Sequence, residues 1–130
     1  ANMVIEVVQD PKSAAPIGPY SQAIRAGDFV FVAGEKGIDA ATGQIVDGGI
    51  EAQTRQTFEN IRGILAAAGA SMDQVVSSTV HMVDLGDFQA MNDVYAGYFT
   101  KNPPGRTTVG VTSLPAGAAV EITVTAYVGP

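Results

Sequence analysis

The sequence predicts an α+β fold: a six-stranded, mainly antiparallel sheet with two helices on one face, in the order βββαβαββ. Three observations carry this expectation. Most of the chain reads as short β-branched or aromatic runs bounded by Gly and Pro. Two stretches, near 50–68 and 88–99, instead repeat apolar residues at helical spacing. No internal repeat, linker or low-complexity segment interrupts the pattern, so 130 residues with 46% hydrophobic content are expected to form one domain over 1–130.

The elements follow in order. "MVIEVV" (3–8) is β-rich, and Asp10-Pro11 ends it because proline offers no backbone donor. "YSQAIRAGDFVFVAG" (20–34) holds two extended runs around Ala26-Gly27-Asp28, where glycine permits a tight reversal, and so predicts a hairpin. "DAATGQ" (39–44) has the chemistry of another turn. Ile50, Phe58, Ile61, Leu65 and Ala68 then mark the buried stripe of a helix, with Glu51, Arg55, Glu59 and Arg62 on its other side and Gly69 as its stop. "QVVSSTVHMVDL" (74–85) predicts a long strand. Asp87 is the expected cap of a second helix with stripe Phe88, Met91, Tyr95, Tyr98 and Phe99, ended by Pro103-Pro104. Two strands, 106–113 and 119–128, complete the chain.

Two helices cover one face of such a sheet, and strand alternation says what the other face carries. In the last strand Val120, Ile122, Val124, Ala126 and Val128 belong under the helices, with Glu121, Thr123, Thr125 and Tyr127 opposite. In the strand before it, Thr107, Val109 and Val111 are expected under the helices, which turns Arg106, Thr108, Gly110 and Thr112 away from them. "FVFVA" (29–33) is apolar on both faces, so the helix-free face carries large apolar side chains. Leaving each in water forgoes about 1.5–3 kcal/mol, and a second copy of the chain is the expected cover, a loop the alternative.

Composition narrows the chemistry. Seven Lys+Arg against thirteen Asp+Glu give a net charge of -6, which disfavours nucleic acid and anionic lipid as partners. Cysteine is absent, no run approaches a membrane span, and the opening stretch lacks a basic-then-apolar leader, so a cytoplasmic location is expected. His81 is the one histidine, without paired-ligand spacing, so a metal is not expected; a strand histidine satisfied by a backbone or interface hydrogen bond is its plain reading. No G-x-S-x-G elbow occurs, and "GEKG" (34–37) lacks the spacing of a phosphate loop. Arg106, after "PPG" at a loop-to-strand corner, presents a planar fork that fits a carboxylate bidentately. It is either the anchor for a small organic acid or the partner of Glu121 or another acidic residue in an interface ion pair.

"IGPYSQAI" (17–24), "QTRQTFENI" (53–61), "MNDVYAGYF" (91–99), "PPGRTTV" (103–109) and "VEI" (120–122) together resemble the Rid family, also called YjgF or endoribonuclease L-PSP-like, in order over almost the whole chain. The resemblance implies a chorismate-mutase-like fold, a homotrimer around a barrel-like centre, and ligand sites in clefts between subunits. It implies hydrolysis of reactive 2-imino and 2-enamino acids such as 2-aminoacrylate to 2-ketoacids and ammonia, without a cofactor. Carried over, Arg106 clamps the substrate carboxylate, Tyr20 walls the cleft, Asn92 supplies a polar contact, and Gly34 keeps backbone close to the ligand.

Three positions depart from that pattern: Ala33 stands where the deaminases commonly have serine, Thr108 where they have cysteine, and Thr123 where they have a catalytic glutamate. Threonine is neither acid nor base near neutral pH, so the proton must come from water, a backbone carbonyl or another side chain. Glu35, two residues after Ala33 and on its parity, is the candidate, with a solvated turn carboxylate beside Lys36 as its plain alternative. Glu121 is expected to be structural or at an interface. The alternatives to the hydrolase are a protein that binds or senses small carboxylates or 2-ketoacids and, less favoured by the net acidity, a ribonuclease or translation inhibitor.

Overall fold

The computed structural model describes residues 5–130. Six strands, β1 (Ile5–Val8), β2 (Ala23–Ala26), β3 (Phe29–Lys36), β6 (Val75–Met82), β7 (Gly105–Gly110) and β8 (Val120–Tyr127), form one sheet in the order β1-β2-β3-β8-β6-β7. β6 and β7 run parallel; every other neighbouring pair is antiparallel. A small ladder of β4 (Ile38–Asp39) and β5 (Gln44–Ile45) closes the 39–44 turn. Residues 3 and 4 of the expected first strand lie outside the described residues.

Helix α1 (Gly49–Ala67) begins where Gly48 and Gly49 take positive φ and ends before Gly69, whose φ of 77° a side chain would disfavour. Phe58, Ile61, Ile64 and Leu65 are fully buried against the sheet, each contributing about 1.5–3 kcal/mol of burial. Asn60 on the same helix donates to the carbonyls of Lys36 (3.1 Å) and Ile38 (2.9 Å), tying α1 to the end of β3. Helix α2 (Phe88–Tyr98) buries Met91, Val94 and Tyr95. Its expected cap is corrected: the Asp87 side chain makes no capping bond, whereas Asp84 Oδ1 accepts from the Gly86 N–H (2.8 Å) in the tight turn before the helix.

The register sorts the side chains. Val8, Ala23, Val32, Val124 and Ser78 share the helix side of the sheet, and Ile5, Ala26, Phe29 and Tyr127 share the open side, as do Val7, Ile24, Phe31 and Thr125. Ile5, Val7, Phe29, Phe31 and Tyr127 are all exposed, which matches the expectation of an uncovered apolar face.

Two face assignments are corrected. Arg106, Thr108 and Gly110 are in register with Ser78, Val80 and Met82, all buried under the helices, so Arg106 and Thr108 point toward α2 while Val109 joins the open face. The apolar alternation of 107–111 misleads here because β7 is an edge strand, where helix cover is thin and a threonine or arginine can face inward. On β3, three residues from Val32 to Glu35 oppose two on β8, from Val124 to Ile122. This bulge at Ala33-Gly34 inverts the parity: Glu35 turns to the helix side beside Ile122, and Lys36 turns to the open side beside Glu121.

Candidate functional site

Arg106 leaves β7 next to Ser78, whose hydroxyl bonds the Tyr95 hydroxyl at 2.7 Å in the core. That bond fixes the Tyr95 ring, and the Arg106 guanidinium carbon lies 4.6 Å from its centroid and 5.5 Å from that of Phe88. Both rings attract the cation through their faces and hold it in place. Among the described residues no carboxylate of the same chain pairs with Arg106; within the chain Glu121 is bonded to Lys36. Arg106 opens on a cleft of about 380 Å³ with Asn92, Tyr95, Phe99 and Pro104. The side-chain oxygens of Asn92 and Thr108 are buried without a protein hydrogen bond among the described residues.

A second cleft, about 390 Å³, is lined by Tyr20, Ala33, Gly34, Lys36, Glu121 and Thr123. Tyr20 is set by its own loop: the Ile17 N–H donates to its hydroxyl (3.1 Å), and its own N–H reaches the Gly18 carbonyl (2.9 Å). Gly34 leaves the space that the Glu121 carboxylate occupies: a Cβ there would sit 2.7 Å from Glu121 Cδ and push that side chain aside. Lys36 Nζ donates to the Gly34 carbonyl (3.0 Å) and pairs with Glu121 Oε2 (3.3 Å), and His81 Nδ1 stands 3.8 Å from Glu121 Oε1. Among the described residues His81 Nδ1 has no hydrogen-bond partner. A further hollow of about 420 Å³ lies behind Tyr20, but there Gln22 already donates to the carbonyls of Asp10 (3.1 Å) and Ala14 (2.8 Å), so its polar groups serve the loop.

Glu35 lines neither cleft. It sits 5% exposed on the helix side, where loss of solvent, opposed by Lys36 and reinforced by Glu121, pushes its carboxyl up to about 7. The neutral carboxyl is the form such a site favours. Three strand spacings, ~14 Å, separate it from Thr108 on β7.

The residues singled out from sequence therefore form two groups. Tyr20, Ala33, Gly34 and Thr123 gather around the β3-β8 centre, while Arg106, Asn92 and Thr108 gather at the β7 edge on the opposite face. Lys36 escaped the sequence reading because only the bulge turns it into the cleft. Glu121, expected to be structural or at an interface, lines this cleft in an ion pair with Lys36. Among the described residues no group of three or more His, Asp or Glu side chains converges as a metal cage would.

The family described as Endoribonuclease L-PSP matches residues 11–128. A RutC family protein of Pyrococcus horikoshii is 50% identical over 122 residues, covering 94% of this chain and 97% of that protein. The 2-iminobutanoate/2-iminopropanoate deaminase of Capra hircus is 41% identical over 130 residues, covering 100% of this chain and 95% of the relative. Among solved structures, RidA from an Antarctic Psychrobacter superposes with a TM-score of 0.91 at 38% identity, covering 94% of this chain and 98% of that one. TdcF of E. coli with bound serine gives 0.88 at 31% identity, covering 94% and 98%.

Proposed function

The chain belongs to the endoribonuclease L-PSP family, also called Rid or YjgF, and from that premise we propose that it hydrolyses 2-imino and 2-enamino acids to 2-ketoacids and ammonia at clefts shared between the subunits of a homotrimer. The observation that carries this reading is the Arg106 guanidinium, held over the Tyr95 ring and paired with no carboxylate of its own chain among the described residues. Such a fork suits the carboxylate of a small organic acid. The deaminases of goat, cow and mouse, 37–41% identical to this chain, support the reaction class, and the serine bound to TdcF is a molecule of the same size and charge pattern.

The two separate clefts support the shared site. One subunit offers the anchor, Arg106 with Asn92, and its neighbour offers the wall, Tyr20, Gly34 and Thr123. The exposed apolar side chains of the open face are the surface on which the neighbour docks. An imine carbon is already electrophilic, so holding it beside a placed water removes most of the barrier without a protein nucleophile or a cofactor. The balance is R–C(=NH)–COO⁻ plus water giving R–CO–COO⁻ plus ammonia.

The test uses imino acids released by an amino-acid oxidase in the presence of semicarbazide. The expected result is that added protein diverts imine from the trap and that Arg106→Ala does not. Trapping unchanged by wild-type protein would sink the hydrolase; calorimetry with 2-ketobutyrate then decides whether the same anchor serves binding without turnover.

A further inference from the structure

We propose that the Lys36 amine condenses with the ketone carbon of a bound 2-ketoacid and holds it as a Schiff base in the Tyr20 cleft. The proposal rests on the reading above that this cleft, completed by the Arg106 anchor of a neighbouring copy, takes 2-imino acids and 2-ketoacids. Hydrolysis of an imine needs no protein nucleophile, so Lys36 is a nucleophile that the reaction leaves unused. Of the three lysines, Lys12 and Lys101 are exposed, whereas Lys36 is 5% exposed.

The bulge of β3 delivers this amine. Ala33 and Gly34 take one extra position, so Lys36 lands on the open face opposite Glu121 and lines the cleft with Tyr20 and Thr123. It is the one amine among the described residues that do so. Lys36 Nζ donates to the Gly34 carbonyl (3.0 Å) and to Glu121 Oε2 (3.3 Å). An ammonium carries three N–H groups, and the third has no protein acceptor among the described residues. Two bonds therefore pin the nitrogen at the cleft wall, and one donor is left for an oxygen that enters. Holding an ion pair alone is a poor reason to bury an ammonium, because desolvation offsets most of the attraction.

The chemistry balances between the two reactants. One Nζ proton moves to the ketone oxygen as the freed nitrogen pair bonds to the ketone carbon. A second proton then moves from nitrogen to that hydroxyl, the C–O bond breaks, the nitrogen pair forms the C=N bond, and water leaves. The balance is Lys36–NH₃⁺ plus R–CO–COO⁻ giving Lys36–NH⁺=C(R)–COO⁻ plus water. Nitrogen carries one positive charge before and after, so Glu121 stays its counter-ion and neither gains nor loses a proton. Arg106 holds the carboxylate next to the reacting carbon, which makes the condensation effectively intramolecular. Ile17, Pro19 and Pro115 add an apolar lining that discourages the water needed to reverse it. A captured ketoacid blocks the cleft until water cleaves the bond.

Wild-type protein, Lys36→Arg and Arg106→Ala are incubated with 2-ketobutyrate and sodium cyanoborohydride, and adducts are located by intact mass and peptide mapping. Lys36→Arg keeps a cation beside Glu121 but forms no Schiff base. The expected result is that wild-type Lys36 gains the mass of one 2-ketobutyric acid less one oxygen, at least about tenfold faster than Lys12 or Lys101. Lys36→Arg should lose this fast adduct, and Arg106→Ala should slow labelling of Lys36 by about tenfold or more. If Lys36→Arg fails to fold, Lys36→Met/Glu121→Gln, which removes both charges, replaces it and is read the same way. No adduct at Lys36, or labelling spread evenly over the three lysines, overturns the proposal, as does unchanged labelling in Arg106→Ala. Imine hydrolysis without the adduct overturns this inference alone, whereas the adduct without imine hydrolysis supports it and overturns the hydrolase alone.

Discussion

Replacing Glu35 by glutamine removes an ionisable group from the space between β3 and α1 while keeping its shape. In the folded chain burial raises this carboxyl from 4.5 to about 7, so between those values the folded state holds a proton that the unfolded state has released. Stability therefore falls as pH rises through that window and is flat on either side. The penalty, roughly 2.5 units at 1.36 kcal/mol each, is about 3 kcal/mol, and at 5% exposure little of it is screened by solvent. Urea unfolding of wild type and Glu35→Gln at pH 5 and pH 8.5, at one protein concentration so that association terms are held constant, isolates this residue from other titrating groups. Glu35→Gln is expected to gain about 3 kcal/mol over wild type between the two pH values. Parallel stability curves would refute the placement of Glu35 in the core and return it to solvent.

Tyr95→Phe is expected to lower stability by about 1–3 kcal/mol because it strands the buried Ser78 hydroxyl, and adding Ser78→Ala should recover most of that loss in the same urea titration. Phe31→Asp places a charge on the exposed apolar face; sedimentation velocity should show a trimeric wild type and a monomeric variant. A monomeric wild type would show that no copy covers that face.

The layers of this fold were legible because they follow from patterns contained within a single helix or strand. Val120, Ile122, Val124 and Ala126 alternate cleanly and are all buried, and Phe58, Ile61 and Leu65 sit at helical spacing on one buried stripe. What escaped the pattern depends on pairing partners. Val109 resembles a core residue until parallel pairing with β6 places it beside His81 on the open face. Glu35 and Lys36 exchange faces because one extra residue is accommodated at Ala33-Gly34, and no local preference announces a bulge where β8 is the template. Motif resemblance selected Tyr20, Gly34, Asn92 and Arg106, but motifs carry no distances. Their division between the centre of the sheet and its β7 edge, on opposite faces, emerges only when the strand order β3-β8-β6-β7 is known.

That division makes the shared cleft the central claim, and subunit mixing tests it most directly. Arg106→Ala removes the anchor from one half, and Thr123→Trp blocks the other half, the cleft of about 390 Å³ that Thr123 lines with Tyr20 and Gly34. Each variant alone should be inactive in the imine assay. Unfolded and reassembled together in equal amounts, they should recover about a quarter of wild-type activity, the random share of clefts with both halves intact in a closed ring. Mixed assemblies, verified by mass, that remain inactive would contradict a site built from two subunits.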